Sequence, residues 1–174
     1  MWPAMQKDCR TSARTCQPCQ RFITTVGDFT LPPARFLHIH INLVDSLPSS
    51  AGFQYCLTAV ELFTRWSEAF PIPDITAEAV PLALLSGLIA SFGSPQIITT
   101  DQGRQFESQL FHSLAKMCCI HLSRTTRHHP AANGLVLRLH RKLKAAIMYH
   151  SDAYWTKSLP LVLLGICTAF KKFL

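Results

Sequence analysis

The sequence predicts an α/β domain built on a mixed sheet. Two observations carry this: three β-prone runs follow one another within residues 36–72, and a fourth, at 96–100, lies between stretches of helical periodicity. Residues 36–44 alternate, with Leu37, Ile39, Ile41 and Leu43 on one face and His38, His40 and Asn42 on the other. That pattern predicts a half-buried strand whose histidines face solvent or substrate. Residues 54–60 and 63–72 are the next two runs, and Ser49-Ser-Ala-Gly52 supplies the first turn. Three successive strands predict an antiparallel meander.

The helices follow from apolar spacing. Residues 77–92 place Leu82, Leu85, Ile89 and Phe92 in one stripe, and Gly93 ends the helix. Pro81 falls beyond the first turn of that helix, where it costs roughly 3 kcal/mol unless the helix starts later or bends. Residues 106–118 predict a second helix and 124–134 a loop. The third helix spans 135–150, with Leu135, Leu139, Leu143 and Ile147 toward the core, and the last spans 155–170 with Pro160 as an early breaker.

The 174 residues are 48% apolar and 16% charged, which excludes a disordered chain and suffices for one main domain. The apolar stretches at 79–93 and 159–170 are too short for a bilayer span, and Pro81, Ser86 and Gly87 interrupt the first. No membrane partner is expected. The N-terminus lacks the basic segment and apolar run of a secretory leader, so an intracellular, reducing setting is expected, nucleus or cytoplasm. Seven cysteines, an odd number, read as free thiols, with Cys118 and Cys119 as small apolar residues. A net charge of +7 and a pI near 9.3 favour a polyanionic partner, because phosphates neutralised by Lys or Arg release condensed counterions.

Five short blocks recur in a telling order: His38-Ile-His-Ile41, Phe63-Thr-Arg-Trp66, Ile98-Thr-Thr-Asp-Gln-Gly-Arg-Gln-Phe106, His129-Pro130 and Asn133-Gly134. Together they make nearly the whole chain resemble the integrase catalytic cores of gypsy-type long terminal repeat retrotransposons and their retroviral relatives. For residues 31–174 the resemblance implies a ribonuclease H-like mixed five-stranded sheet flanked by helices. It also implies three carboxylates holding two Mg²⁺ or Mn²⁺ ions that cut and join DNA strands. In-line displacement at phosphorus needs two hard cations, one activating the nucleophile and one stabilising the leaving oxygen, with anionic oxygens to neutralise them.

Asp101 matches the second of those acids. The first falls on Asn42 and the third on Leu137. Asparagine offers one neutral oxygen and leucine none, so the resemblance implies a degraded triad, at most weak metal binding at Asp101 and no retained cofactor. The faces agree with this mapping: Asn42 shares its strand face with His38 and His40, and Leu137 lies off the apolar stripe near His140, Arg141 and Lys144. Asp45 is offset by an odd number of residues from Asn42, and Glu107 suits the start of the following helix, so neither replaces a missing acid.

Cys16 and Cys19 resemble the second half of the family's His-His-Cys-Cys zinc module, which makes residues 1–30 a remnant of that module and a linker. The zinc site is incomplete without its histidines. Arg138, His140, Arg141, Lys142 and Lys144 cluster on the helix that carries Leu137. An ordinary solvated face explains them, and so does DNA contact, which the family places on this helix. His129 and Asn133 match family positions beside the active site. The expectation is an integrase-derived, DNA-binding pseudoenzyme, with a homodimer as a further partner. The alternatives are a domesticated interaction or structural module, and a non-functional relic.

Overall fold

The computed structural model describes residues 32–45, 47–125, 130–149 and 154–170. Cys16, Cys19 and His129 lie outside these, and the side chain of Asn133 is likewise not described. Strand β1 (His38–Val44) sits at the centre of a five-stranded sheet with order β3-β2-β1-β4-β5. It pairs antiparallel with β2 (Tyr55–Glu61) and parallel with β4 (Ile97–Thr100). β2 continues antiparallel to β3 (Ser67–Ile72), completing the expected meander. At the turn between β1 and β2, Ala51 and Gly52 take φ values of 51° and 85°, consistent with the tight primed turn that opposing strands require. The carboxylate of Glu61, buried in the next turn, accepts from the amides of Phe63 and Thr64 and from the Thr64 hydroxyl. Those bonds end the strand run at 63, so β3 begins at Ser67.

Helix α1 runs through Ala79–Ala83, a π-wound segment Leu84–Ile89, and Ala90–Phe92. Because it begins at Ala79, Pro81 lies in the first turn, where its missing N–H has no partner to lose. The expected core stripe is the wrong one. Val80, Leu84 and Leu88 are buried while Leu82 is 64% exposed, since this segment is apolar nearly all round and packing alone selects the inward face. Gly93, with φ 85°, ends the helix as expected.

A 3₁₀ turn (Arg104–Glu107) buries Phe106 ahead of α2 (Gln109–Met117), whose start is fixed by the Ser108 hydroxyl accepting from the Phe111 amide. The expected single helix is therefore two pieces. β5 (His121–Arg124) pairs parallel with β4. No pattern in the residues announced it, because four partly exposed edge residues carry little periodicity. α3 (Pro130–Tyr149) starts five residues before the expected 135, with Pro130 in the first helical position, where proline is well tolerated. α4 (Trp155–Phe170) runs through Pro160 without ending.

The sheet separates two cores. Ile39, Ile41, Leu57 and Ile98 meet α1 and α2 through Val80, Leu84, Leu88, Phe111 and Leu114. On the other face Val44, Cys56 and Val60 meet Val136, Leu139, Leu143 and Ile147 of α3 and Trp155, Leu159 and Ile166 of α4. β1 is thus covered on both faces rather than half-buried, and His40 is only 4% exposed. Burial also pushes the Cys56 thiol up to about 12, so it stays protonated.

Two glycines make the packing testable. A Cβ at Gly87 would stand 2.6 Å from the Phe70 ring, whereas one at Gly165 meets nothing within 4 Å. Gly87→Ala is expected to destabilise by about 1–3 kcal/mol through overpacking. Gly165→Ala is expected to stabilise by about 0.5–1 kcal/mol through helix propensity. Urea denaturation of the two variants reads both signs.

Candidate functional site

The parallel register places the cleft. His38 pairs with Ile97, Ile39 with Ile98 and His40 with Thr99. Extending that offset past the last pair brings Asn42 level with Asp101, just beyond the end of β4. α3 covers the same face and adds its first turns. The resulting cleft of about 390 Å³ is lined by His40, Asn42, Thr99, Asp101, Gly103 and Leu137, among others. All three positions singled out from the sequence therefore meet. Leu137 is 48% exposed, off the buried stripe of Leu139, Leu143 and Ile147 as expected, with Val136 also turned inward.

Each polar member of the trio is partly engaged. Asp101 Oδ1 accepts from the Gly103 amide at 2.9 Å, so the residue also closes the turn after β4. Asn42 Oδ1 accepts from the Leu43 amide at 2.7 Å. Asp45, just past the end of β1, accepts from Lys144 Nζ at 3.4 Å, and Glu107 pairs with Arg124 beside β5. Neither acid lines the cleft.

A polar layer that the sequence did not announce supports the floor. The Thr58 hydroxyl donates to the Asn42 carbonyl at 3.0 Å and, with its one proton spent, accepts from His140 Nε2–H at 2.8 Å. His38 Nε2 and Thr99 Oγ1 lie 2.7 Å apart, and the His38 and His40 rings stand 5.3 Å apart. Of the two sides left open for His40, it takes the cleft side and not bulk solvent. One expectation is corrected here: His140 is not part of a basic surface but is tucked against β2. Burial holds His40 down at about 4, with neighbouring His38 adding to the effect. Burial does the same for His140, also about 4, with Lys144 lowering it further and Asp45 opposing. His38 is lowered by burial as well. Thr58 was legible only as a polar residue inside the largely apolar β2.

Arg138, Arg141 and Lys142 are exposed on α3, and Lys144 is partly so. The model of the integrase core domain matches residues 33–130. This chain belongs to the integrase core domain family. The matched segment includes Asn42 and Asp101 and stops before Leu137.

The chain is 34% identical over 130 residues to the Pol polyprotein of Radiation murine leukemia virus (strain Kaplan), covering 72% of this chain and 22% of that protein. It is 29% identical over 133 residues to the Gag-Pol polyprotein of Feline leukemia virus, covering 74% and 8%. It is 30% identical over 139 residues to the Gag-Pol polyprotein of Baboon endogenous virus (strain M7), covering 79% and 8%. This core thus spans less than a quarter of each viral polyprotein. In fold it is similar to the crystal structure of the BIV integrase catalytic core domain, with a TM-score of 0.59, 23% identity, and 74% and 82% of the two chains covered. The ribonuclease H-like architecture follows from that likeness and from the mixed sheet. Among the described residues no helix is long and apolar enough to cross a membrane.

The neutral imidazoles set a pH dependence. In the unfolded chain a histidine titrates near 6.5, whereas His40 and His140 in the fold stay neutral down to about 4. Below 6.5 the unfolded state therefore binds more protons, and stability present above that pH is lost as pH falls toward 4. For His40 the loss is on the order of 3 kcal/mol. Denaturation midpoints measured between neutral pH and pH 4 should fall steeply for the wild type and less for His40→Gln.

Proposed function

We propose that the chain is a DNA-binding integrase core-like module that has lost two of its three metal-binding carboxylates and does not transfer DNA strands. The observation that carries this reading is the meeting of Asn42, Asp101 and Leu137 in one cleft, at positions where a strand-transferring relative needs three acids. Two divalent cations require bridging anionic oxygens. Here the cleft offers one carboxylate with one oxygen already bonded, an amide whose oxygen is also bonded, and an alkyl group. That donor set does not fit a pair of magnesium or manganese ions. Among the described residues no three His, Cys, Asp or Glu side chains converge on a metal position.

DNA binding rests on the net charge of +7 and on Arg138, Arg141, Lys142 and Lys144 along α3, beside the cleft. His129 and Asn133, just before these residues in the sequence, match family positions beside the active site. A nuclear or cytoplasmic setting accompanies the reading. A second reading, a module that binds protein or a second copy of itself, is favoured by a different surface. A groove beside β3 and α4 is lined by Trp66, Pro71, Leu159, Leu163 and Leu164, and Leu161 nearby is 72% exposed.

The purified chain is expected neither to cleave nor to join DNA ends with Mg²⁺ or Mn²⁺. Activity that Asp101→Ala abolishes would overturn the proposal. In a Mn²⁺ titration the double revertant Asn42→Asp, Leu137→Glu should bind at least about tenfold more tightly than the wild type; equal, strong binding by both would mean that other ligands complete the site. DNA affinity should fall with salt, and replacing Arg141, Lys142 and Lys144 by Gln should reduce the logarithmic slope by up to about three. A salt-independent affinity, or none, would favour the protein-binding reading.

A further inference from the structure

What the cleft lost in charge it gained in recognition groups. The Asn42 oxygen is held by the Leu43 amide, so the side chain's NH₂ is the group left to face the cleft that Asn42 lines. Asp101 spends Oδ1 on Gly103, which leaves Oδ2 as an acceptor. Extending the register of β1 on β4 sets these two residues side by side, so an amide donor neighbours a charged acceptor. Leu137 and Val136 add apolar surface to the same cleft, and the buried His40 also lines it. With a volume of about 390 Å³, the cleft has room for a planar heterocycle against the Leu137 side chain.

We propose that the cleft binds a nucleobase, and specifically guanine, unstacked from a single strand that the basic face of α3 holds by its phosphates. Guanine presents an acceptor, O6, next to two donors, N1–H and N2–H. Asn42 Nδ2 donates to O6, and Asp101 Oδ2 accepts from the N1–H and N2–H edge. Bases held outside a helix are read in this way, by hydrogen bonds along the pairing edge and apolar packing on the ring. Adenine and cytosine each offer an exocyclic amine beside a ring acceptor, without a second donor for the carboxylate, and uracil offers a single donor between two acceptors. A second carboxylate at position 42, as in an intact triad, would repel O6, so this specificity depends on the very substitution that disfavours metal. The proposal rests on the nucleic-acid reading above.

The test uses the full chain and the free nucleosides, which carry no phosphate and so bypass the basic face. Amide resonances of Asp101, Gly103 and Leu137 should shift saturably with guanosine, with an affinity at least about tenfold above that for adenosine, cytidine or uridine. Inosine, lacking N2–H, should bind more weakly than guanosine. Asp101→Asn keeps the oxygen that closes the Gly103 turn but loses the charged acceptor, and it should lose the guanosine preference with the spectrum otherwise unchanged. Leu137→Ala, at an exposed position, should weaken all four nucleosides together.

No saturable shift with guanosine, equal affinity for the four nucleosides, or an unaltered preference in Asp101→Asn would each overturn the base pocket. Anisotropy with a single-stranded oligonucleotide carrying guanine or an abasic site separates the two levels. Tight, salt-dependent binding indifferent to the base retains the DNA-binding reading and removes the pocket. Guanosine binding without oligonucleotide binding does the reverse.

Discussion

The parallel pairing of β1 with β4, inside a sheet covered on both faces, is the constraint from which the rest follows. Because side chains alternate with a period of two, a one-residue slip of β1 would drive Ile39 and Ile41 out of the α1–α2 core and His40 into it. The apolar alternation therefore fixes register, and register fixes which residues stand side by side at the end of the two strands. Asn42 faces Thr58 on one side and, on the extended register, Asp101 on the other. The position of the cleft is a by-product of closing the core.

The same arrangement keeps the residues that line the cleft apart from those that hold the fold. Positions 42 and 137 lie at the cleft wall, where Leu137 remains half-exposed and Asn42 is satisfied by its own neighbour's amide. Neither side chain belongs to the two apolar clusters that hold the sheet to its helices. An acid at either place would add charge to the cleft without adding packing to the core. The floor below is demanding in a different way: Thr58, His140, His38 and Thr99 pair with one another or with backbone, and a buried polar group left unpaired would cost about 1–3 kcal/mol. Stability thus depends on the polar layer under the cleft more than on the side chains at positions 42 and 137.

Where the sequence carries strong periodicity or an unmistakable punctuator, the reading and the structure agree. β1, β4, the meander, the turn at Gly52, the stop at Gly93 and the inward stripe of α3 all belong to that class. Elements with little periodicity escaped, as β5 did with four partly exposed residues and as the start of α3 did behind Pro130. The inward face of α1 was misjudged because both candidate stripes are apolar, and only packing against the sheet and α2 distinguishes them.

Taken alone, the sequence determined the α/β class, the family resemblance and the faces on which Asn42 and Leu137 lie, because each is written in local spacing. It could not say that His40 and His140 are largely buried and neutral, or that the Leu43 and Gly103 amides engage one oxygen each of Asn42 and Asp101. Those facts depend on which distant strand or helix arrives alongside. Burial and hydrogen-bond partnership are properties of the assembled layers, and only the tertiary structure decides them.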